Sequence, residues 1–280
     1  MKQYTEGETK AERKARKNTN KGCRPLGESI TSVSVPAQLP INPSGATRYV
    51  VCLKYGNKYS ADYVNKLYNM VKRNLTLDHE FVCFTEDATG IDPAIRIEPI
   101  PLISGVTGWW YKPMFFNPEL GLKGTVLFLD LDVIIFENID YLFTFKPNKF
   151  CIIRDFNRQF IRNYNKFNSS IFRLDTSMHS EVYTNFMKDP NGPIRRYHGD
   201  QDWIRATIPD GGFEYWPEEW IQSYKWEMRG RPKYNKMPRG LRDFETPGDP
   251  KILDDTSVAV FHGDPNPHNC KDQWVIDNWT

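Results

Sequence analysis

The feature that most restricts the fold is an unbroken run of β-forming residues in the middle of the chain. Residues Thr125–Leu129 show no alternation of polar and apolar side chains, and the run ends in Asp130-Leu131-Asp132. A strand that is apolar on both faces belongs in the middle of a sheet whose two faces are covered. The run therefore predicts an α/β fold with a buried central strand.

The residues before this run alternate between strand and helix patterns. A strand is predicted at Arg48–Leu53, followed by a helix that Ser60 caps and whose apolar residues recur every three or four positions. Further strands are predicted at Glu80–Thr85, Ile95–Ile100, Phe150–Arg154, Ser170–Leu174 and Ser257–His262. This alternation predicts a mostly parallel sheet with right-handed crossovers.

The N-terminal segment differs in composition from the rest of the chain. Residues 1–24 contain eight Lys or Arg against three Glu, and residues 26–47 are rich in Ser, Pro and Gly. Because this segment contains few aromatic residues, we interpret 1–47 as a disordered tail and linker rather than a nucleic-acid-binding arm. A single folded domain is predicted at 48–280.

Cysteine content and hydropathy bear on the cellular compartment. The chain contains five cysteines, an odd number, so at least one thiol is free. Cys52, Cys83 and Cys151 lie in apolar strand-like stretches, where reduced buried thiols are expected. No apolar run is long enough to span a bilayer, and Met1–Lys21 lacks the apolar core of a signal peptide. We therefore expect a soluble cytoplasmic protein.

Two carboxylates follow the central strand directly. In extended backbone, side chains two residues apart point the same way, so Asp130 and Asp132 are expected on one face. The carboxyl ends of strands are where open α/β sheets bind ligands. Two buried carboxylates repel each other, and a divalent cation relieves this repulsion while it keeps coordination positions for phosphate oxygens. The pair therefore predicts a metal site.

Short motifs between Arg48 and Pro267 occur in an order that resembles one enzyme family. They are Trp110-Tyr111-Lys112, Asp130-Leu131-Asp132, Phe167-Asn168-Ser169-Ser170, Asp200-Gln201-Asp202 and Phe261-His262-Gly263. Together they resemble the landmarks of the GT-A glycosyltransferases, in particular the glycogenin-like family eight with its Asp-x-Asp, Asp-Gln-Asp and C-terminal His-Gly motifs.

This resemblance implies a single GT-A domain and a metal-dependent, hexosyltransferase-like enzyme. The donor would be a nucleotide-sugar, with UDP as the expected carrier, and the acceptor a glycan, a lipid-linked sugar or a protein. Asp130, Asp132 and His262 would bind the metal. A nitrogen ligand beside two carboxylates favours Mn²⁺ over Mg²⁺, which stays as the alternative.

The remaining candidate residues divide between donor binding and catalysis. Lys112, Asn168, Ser169 and Asp130 would contact the donor by resemblance, and Lys54, Tyr55 and Tyr59 at the end of the first strand are candidates for base and ribose contacts. The resemblance places Asp200, Gln201 and Asp202 near the anomeric carbon. In an inverting reaction Asp200 or Asp202 would act as the general base, whereas a retaining reaction requires none. For Lys112 the alternative interpretation is a surface lysine on an aromatic helix.

The sequence departs from the family pattern after His262. Asn266 stands where a phosphate-contacting Lys is expected, and His268 stands where a Trp is expected. We hypothesise that the basic stretch between Glu227 and Pro250 closes over the donor diphosphate and supplies the missing charge.

Two other functions stay open on the sequence alone. A haloacid dehalogenase-type phosphatase also carries Asp-x-Asp after an apolar strand, and Asp130 would then be the nucleophile. That motif normally lies near the start of its domain, whereas two strand–helix units precede it here. The second alternative is a non-catalytic nucleotide- or carbohydrate-binding relative of the GT-A enzymes.

Overall fold

The computed structural model describes residues 47–230 and 250–280. The predicted basic tail, apart from Thr47, and most of the basic stretch between Glu227 and Pro250 lie outside these residues.

Seven strands form the main sheet. They are β1 (Thr47–Lys54), β2 (Glu80–Thr85), β3 (Arg96–Pro99), β4 (Gly124–Leu129), β6 (Cys151–Arg154), β7 (Phe167–Asp175) and β8 (Glu214–Tyr215), and β5 (Val133–Ile135) belongs to a second sheet. The order across the main sheet is β3-β2-β1-β4-β7-β6-β8. Only the two pairings of β7, with β4 and with β6, are antiparallel, so the expected mostly parallel sheet is confirmed.

Strand β4 lies in the middle of this sheet, as its uninterrupted apolar sequence predicted. Leu127 and Leu129 belong to the core on one face of the sheet, and Val126 and Phe128 belong to the core on the other. The alternation arises because successive side chains of a strand point to opposite faces. Burial on both faces fixes the end of β4, and with it the position of Asp130.

Helices cover both faces of the main sheet. They are α1 (Ala61–Asn74), α2 (Asp140–Thr144), α3 (Glu181–Lys188), α4 (Asn191–Arg196), α5 (Asp200–Thr207) and α6 (Gln273–Asn278). Helix α1 begins after Ser60, but the predicted cap is wrong in its chemistry, because the Ser60 side chain makes no capping hydrogen bond. The aromatic segment Gly108–Phe116 forms a 3₁₀ helix with Pro113 inside it.

The second, smaller sheet brings the C-terminal part of the chain to the end of β4. In it β5 pairs antiparallel with β10 (Val258–Val260), and β10 pairs parallel with β9 (Ile221–Ser223). Just beyond this ladder, the Phe261 N–H donates to the Asp132 carbonyl oxygen at 3.0 Å. This hydrogen bond sets His262 beside the carboxylate pair.

Cysteines and helix lengths complete the description of the fold. Four cysteines, at positions 52, 83, 151 and 270, are buried free thiols. Among the helices of residues 47–230 and 250–280, none combines the length and the apolar character needed to cross a bilayer.

Candidate active site

A pocket of about 310 Å³ opens where β4 ends. Its volume lies within the range of small-molecule sites, roughly 300–1,000 Å³. Predicted site residues that line it are Lys112, Asp130, Asp132, Asn168, Ser169, Asp200, Gln201, Asp202 and His262. One cavity therefore brings together residues that are up to 150 positions apart in the sequence.

The two carboxylates reach this pocket by a route that differs from the expected one. Strand β4 ends at Leu129, and Leu131 and Asp132 form a turn. The predicted extended backbone through Asp132 is therefore wrong, because the turn, and not strand alternation, directs both side chains into the cavity. The Asp130 N–H donates to the Ser170 carbonyl oxygen at 2.8 Å, which anchors the start of the turn to β7.

Asp132 is a buried carboxylate that lies close to a second carboxylate, Asp130. It is 8% exposed, and its Oδ2 accepts a hydrogen bond from the Tyr59 hydroxyl at 2.7 Å. Burial, and then the neighbouring Asp130 carboxylate, raise the pKa of Asp132 to about 6. The hydrogen bond from Tyr59 therefore does not offset the combined effect of burial and of the Asp130 charge on Asp132.

Lys112 neutralises part of this charge. Its ammonium lies 2.8 Å from Asp130 Oδ1 and donates to the Ser169 carbonyl oxygen at 3.0 Å. Burial alone would lower the pKa of Lys112, but the carboxylates of Asp130 and Asp200 outweigh it and raise the pKa. Because Lys112 is 5% exposed, the alternative of a surface lysine is wrong.

The Asp-Gln-Asp motif forms the first turn of α5. Asp200 is 4% exposed, and within the described part of the chain its Oδ2 atom has no hydrogen-bond partner. Burial raises the pKa of Asp200, while the Lys112 ammonium opposes this shift. Asp202 lies 3.6 Å from the Lys166 ammonium, between its Oδ1 and Nζ, and Gln201 lines the pocket beside it.

His262 also lines the pocket and is held by polar and aromatic contacts. Its Nε2 is 2.6 Å from the hydroxyl of the fully buried Ser223. The imidazole stacks on Phe156 with ring centroids 5.5 Å apart, and Trp226 meets it edge-on at 4.4 Å. Burial, and then the Lys225 charge, lower the pKa of His262 to about 3, so the imidazole is neutral at physiological pH.

The other predicted donor residues have mixed placements. Asn168 and Ser169 line the pocket at the start of β7, where Asn168 Oδ1 accepts from the Ser170 N–H at 3.0 Å. Lys54 and Tyr55 do not line it. Lys54 is buried and donates to the Asp87 carbonyl oxygen at 3.1 Å, and Tyr55 packs on Tyr111 with ring centroids 5.0 Å apart.

The residues at the end of β1 were expected to contact the base and ribose of the donor, and their observed contacts lie elsewhere. The Lys54 ammonium is directed to the β2–β3 connection, and the Tyr55 ring packs on the 3₁₀ helix, so neither faces the pocket. Tyr59 contributes through its hydrogen bond to Asp132 and not as part of the pocket lining.

Several lining residues were not singled out by the sequence patterns. They are Lys58, His198 and Gly199. Ser170, Phe261 and Gly263, which also line the pocket, belong to the quoted motifs, and Trp109 lies in an aromatic segment that suits either a pocket lining or a core. Lys58 follows β1, the parallel neighbour of β4. The rule that ligands bind at the carboxyl ends of such strands was the signal that could have identified it.

The acidic pair and His262 were tested as metal ligands against this geometry. In the ranges 47–230 and 250–280, no three His, Cys, Asp or Glu side chains converge closely enough to hold a metal ion. The chemistry of the two carboxylates nevertheless suits a divalent cation, since they present oxygen atoms to one pocket and Asp132 is buried beside Asp130. His262 lines the same pocket with a neutral ring, the protonation state that metal ligation requires.

Comparisons with known proteins identify the architecture. No protein-family model matches the sequence, and no curated protein matches it. Among solved structures, an active-site mutant of LgtC is similar with a TM-score of 0.52 at 14% identity, over 82% of this chain and 93% of that chain. The apo structure of the bifunctional glycosyltransferase WbbM has a TM-score of 0.52 at 12% identity, over 86% of this chain and 51% of that chain.

The chain has the GT-A fold. This confirms the predicted fold class, an α/β domain with a mostly parallel central sheet flanked by helices. In this GT-A fold the pocket lies at the end of the central strand β4, beside the junction of the two sheets. The chain corresponds to nearly all of LgtC and to about half of WbbM.

Proposed function

We propose that this protein is a metal-dependent glycosyltransferase that transfers a sugar from a nucleotide-sugar, with UDP as the carrier, to an acceptor hydroxyl. The observation that carries the proposal is the convergence of Asp130, Asp132, Lys112, Asp200 and His262 on one pocket of a GT-A fold. Fold alone does not establish chemistry, so the proposal depends on these side chains.

Asp130 and Asp132 would hold the divalent cation, Mn²⁺ or Mg²⁺, with His262 as a further ligand. When bound, such a cation supplies Lewis-acid stabilisation of the charge that develops on the departing nucleoside diphosphate. The burial of Asp132 beside the Asp130 carboxylate supports this assignment, because a cation would offset the charge of two such close carboxylates. The hydrogen bond between Ser223 and His262 Nε2 supports it as well, because metal-ligating histidines usually have their second ring nitrogen held by a hydrogen bond.

The same end of the pocket contains cations that suit a diphosphate. Asn266, at the position where a phosphate-contacting Lys was expected, instead forms a capping box with Asn269 at the start of a short 3₁₀ helix. Lys58 lines the pocket, and Lys225 Nζ lies 3.2 Å from the position that a Cβ on Gly263 would occupy. We infer that Lys58 and Lys225 supply the phosphate contacts that Asn266 cannot make.

The other end of the pocket suits the transferred sugar. The unpartnered Asp200 Oδ2 atom can accept a hydrogen bond from a sugar hydroxyl, and a buried acceptor of this kind is costly unless a ligand satisfies it. Asn168, Ser169 and Gln201 add polar groups around it. Lys112 orients this arrangement, since its ammonium bonds Asp130 and Ser169 and its charge acts on Asp200.

The test is calorimetric binding of UDP and GDP in the presence of Mn²⁺ or EDTA. We expect UDP to bind only with the metal, and the double variant Asp130→Asn, Asp132→Asn to weaken binding at least about 100-fold, since it removes two charged ligands from the metal. The matched control is Asp254→Asn, Asp255→Asn, which alters an exposed acidic pair outside the pocket. We expect the control to bind UDP like the wild type.

Other outcomes would redirect or reject the proposal. Preference for GDP would keep the reaction class and change the donor. If a folded wild-type protein bound neither nucleotide, the glycosyltransferase proposal would be wrong. Turnover of a generic phosphomonoester would then distinguish a phosphatase from a non-catalytic protein.

A further inference from the structure

Two adjacent tryptophans in the 3₁₀ helix Gly108–Phe116 have opposite environments. Trp110 is 6% exposed and stacks on Phe186, with planes 5° apart and centroids at 6.0 Å. Trp109 is 55% exposed and lines the pocket. The fold therefore uses Trp110 as a core residue, whereas packing within the domain does not account for an indole at position 109.

The position of Trp109 within the pocket indicates which substrate it meets. Its Nε1 lies 3.6 Å from the position that a Cβ on Gly199 would take, directly before Asp200. This is the end that we assign to the transferred sugar, away from the cations that suit a diphosphate. Because Trp109 lines the pocket and more than half of its surface is open to solvent, its indole is accessible to a second substrate.

The chemistry around Trp109 matches one class of molecule. Polar groups of His198, Gln201 and Asp202 line the same side of the pocket, and among them the indole offers a flat apolar face. A pyranose ring has a complementary surface, with a rim of hydroxyl groups and a face of C–H bonds. Aromatic side chains with an apolar face and a polar edge are suited to such mixed surfaces.

We propose that Trp109 is the acceptor platform of this protein and that the acceptor is a carbohydrate, whose accepting ring stacks on the indole. This inference rests on the proposed function for the donor end of the pocket. It selects a sugar ring over a protein side chain as the acceptor, and it makes Trp109 a specificity-determining residue. The indole holds the ring beside Asp200, so that an acceptor hydroxyl points towards the donor sugar.

The experiment uses the full chain labelled with ¹⁵N, in which each tryptophan indole gives a separate N–H resonance. The Trp109 resonance is assigned by its loss in Trp109→Phe. The probes are the methyl glycosides of galactose, glucose, mannose and N-acetylglucosamine, each titrated with and without UDP and Mn²⁺. We expect at least one glycoside to shift the Trp109 resonance saturably, and UDP with Mn²⁺ to strengthen its binding.

Variants of Trp109 separate the acceptor from the donor. We expect Trp109→Ala to weaken binding of that glycoside about tenfold, because stacking on an aromatic face contributes roughly 1 kcal/mol or more, and Trp109→Phe to weaken it less. The dissociation constant of UDP should not change in either variant. The control Leu102→Ala removes a more exposed apolar side chain, which lies before the 3₁₀ helix and does not line the pocket, and it should leave glycoside binding unchanged.

Two results would overturn the proposal. One is that none of the four glycosides shifts the Trp109 resonance. The other is that Trp109→Ala weakens UDP binding as much as it weakens glycoside binding, which would make Trp109 a donor residue. Failure of the wild type to bind UDP would instead contradict the proposed function, and the titration without nucleotide would still report whether a sugar ring contacts Trp109.

Discussion

Two groups of residues at the pocket, called here the carboxylate wall and the histidine wall, bury polar side chains in different surroundings. On the carboxylate wall, formed by Asp130, Asp132 and Asp200, three carboxylates surround the buried ammonium of Lys112. On the histidine wall, where His262 lines the pocket, its neutral ring contacts Ser223, Phe156 and Trp226, which do not line the pocket.

These differences show in the pKa shifts of the two walls. In the carboxylate wall, burial and then the Asp130 charge raise the pKa of Asp132 to about 6. In the histidine wall, burial and then the Lys225 charge lower the pKa of His262 to about 3. In the proposed metal site, the carboxylate wall would supply negatively charged oxygen ligands, whereas the histidine wall would supply a neutral nitrogen ligand whose orientation is fixed by its contacts. We expect substitutions in the carboxylate wall to change charge balance, and substitutions in the histidine wall to change only orientation.

The largest effect is expected from Lys112→Met, which removes the ammonium of the carboxylate wall and keeps an unbranched side chain that is one atom shorter. Breaking a buried ion pair by removing one partner costs about 3–5 kcal/mol, and the partial exposure of Asp130 places the loss at the lower end of this range. We expect the free energy of unfolding to fall by about 3 kcal/mol and sugar transfer to fall at least about 100-fold. Urea denaturation and donor turnover measure the two effects.

The control for Lys112 is Lys146→Met, which breaks an exposed ion pair with Glu214 at 2.6 Å. Surface pairs contribute about 0–1 kcal/mol, so stability should fall by less than that amount and transfer should be unchanged. Equal losses in the two variants would show that Lys112 has no special electrostatic role.

A smaller effect is expected from Ser223→Ala in the histidine wall. The Ser223 hydroxyl holds His262 Nε2 and also accepts from the Trp226 N–H at 3.1 Å. If this hydroxyl orients a metal-ligating ring, its loss should weaken Mn²⁺ binding by about tenfold or somewhat more, as for other outer-shell partners of metal ligands. His262→Ala should weaken it further. Mn²⁺ titration followed by electron paramagnetic resonance measures these affinities.

The matched control for Ser223 is Ser257→Ala. Ser257 is likewise buried, and its hydroxyl accepts a hydrogen bond from Tyr141 away from the pocket. It should leave Mn²⁺ affinity unchanged. If Ser223→Ala binds Mn²⁺ like the wild type while His262→Ala does not, the ring is oriented by its aromatic neighbours instead.

The same contrast explains how much of the molecule could be predicted from the sequence. The carboxylate wall follows a strand whose apolar character is visible locally, so β4 and Asp130 were identifiable from adjacent residues. The histidine wall depends on three-residue strands, Ile221–Ser223 and Val258–Val260, which pair across more than 30 positions. Such short segments carry almost no periodicity, so the contact of Ser223 with His262 could not be derived.

The different placements of the residues around the end of the first strand have a related cause. Lys54, Tyr55 and Lys58 all follow or end the first strand, and residue type alone did not show which of them faces the pocket. Backbone geometry decides this, since the Lys54 ammonium bonds the Asp87 carbonyl oxygen while the exposed Lys58 lines the cavity. Trp109 and Trp110 make the same point, because neighbouring identical residues have different exposures.

The smallest expected effect is a pH-dependent change in stability on substitution of Asp132 in the carboxylate wall. Because burial raises the pKa of Asp132 from its ordinary value of 3.8 to about 6 in the folded protein, the native state binds more protons than the unfolded state between these values. Stability contributed by this group is therefore full below pH about 4, falls as pH rises to about 6, and stays low above it. Asp132→Asn removes this penalty, and the Asn oxygen can still accept the Tyr59 hydrogen bond.

Without metal or nucleotide, we expect Asp132→Asn to be more stable than the wild type at pH 7.5 by about 1 kcal/mol, or a rise in Tm of about 2–4 °C. The difference should largely disappear near pH 3, where the wild-type carboxyl is mostly protonated in both states. Thermal unfolding followed by circular dichroism at the two pH values measures this. A variant that is less stable at pH 7.5 would mean that Lys112 and Tyr59 already compensate the charge of Asp132. The carboxylate wall would then not need a cation, and its contrast with the histidine wall would be lost.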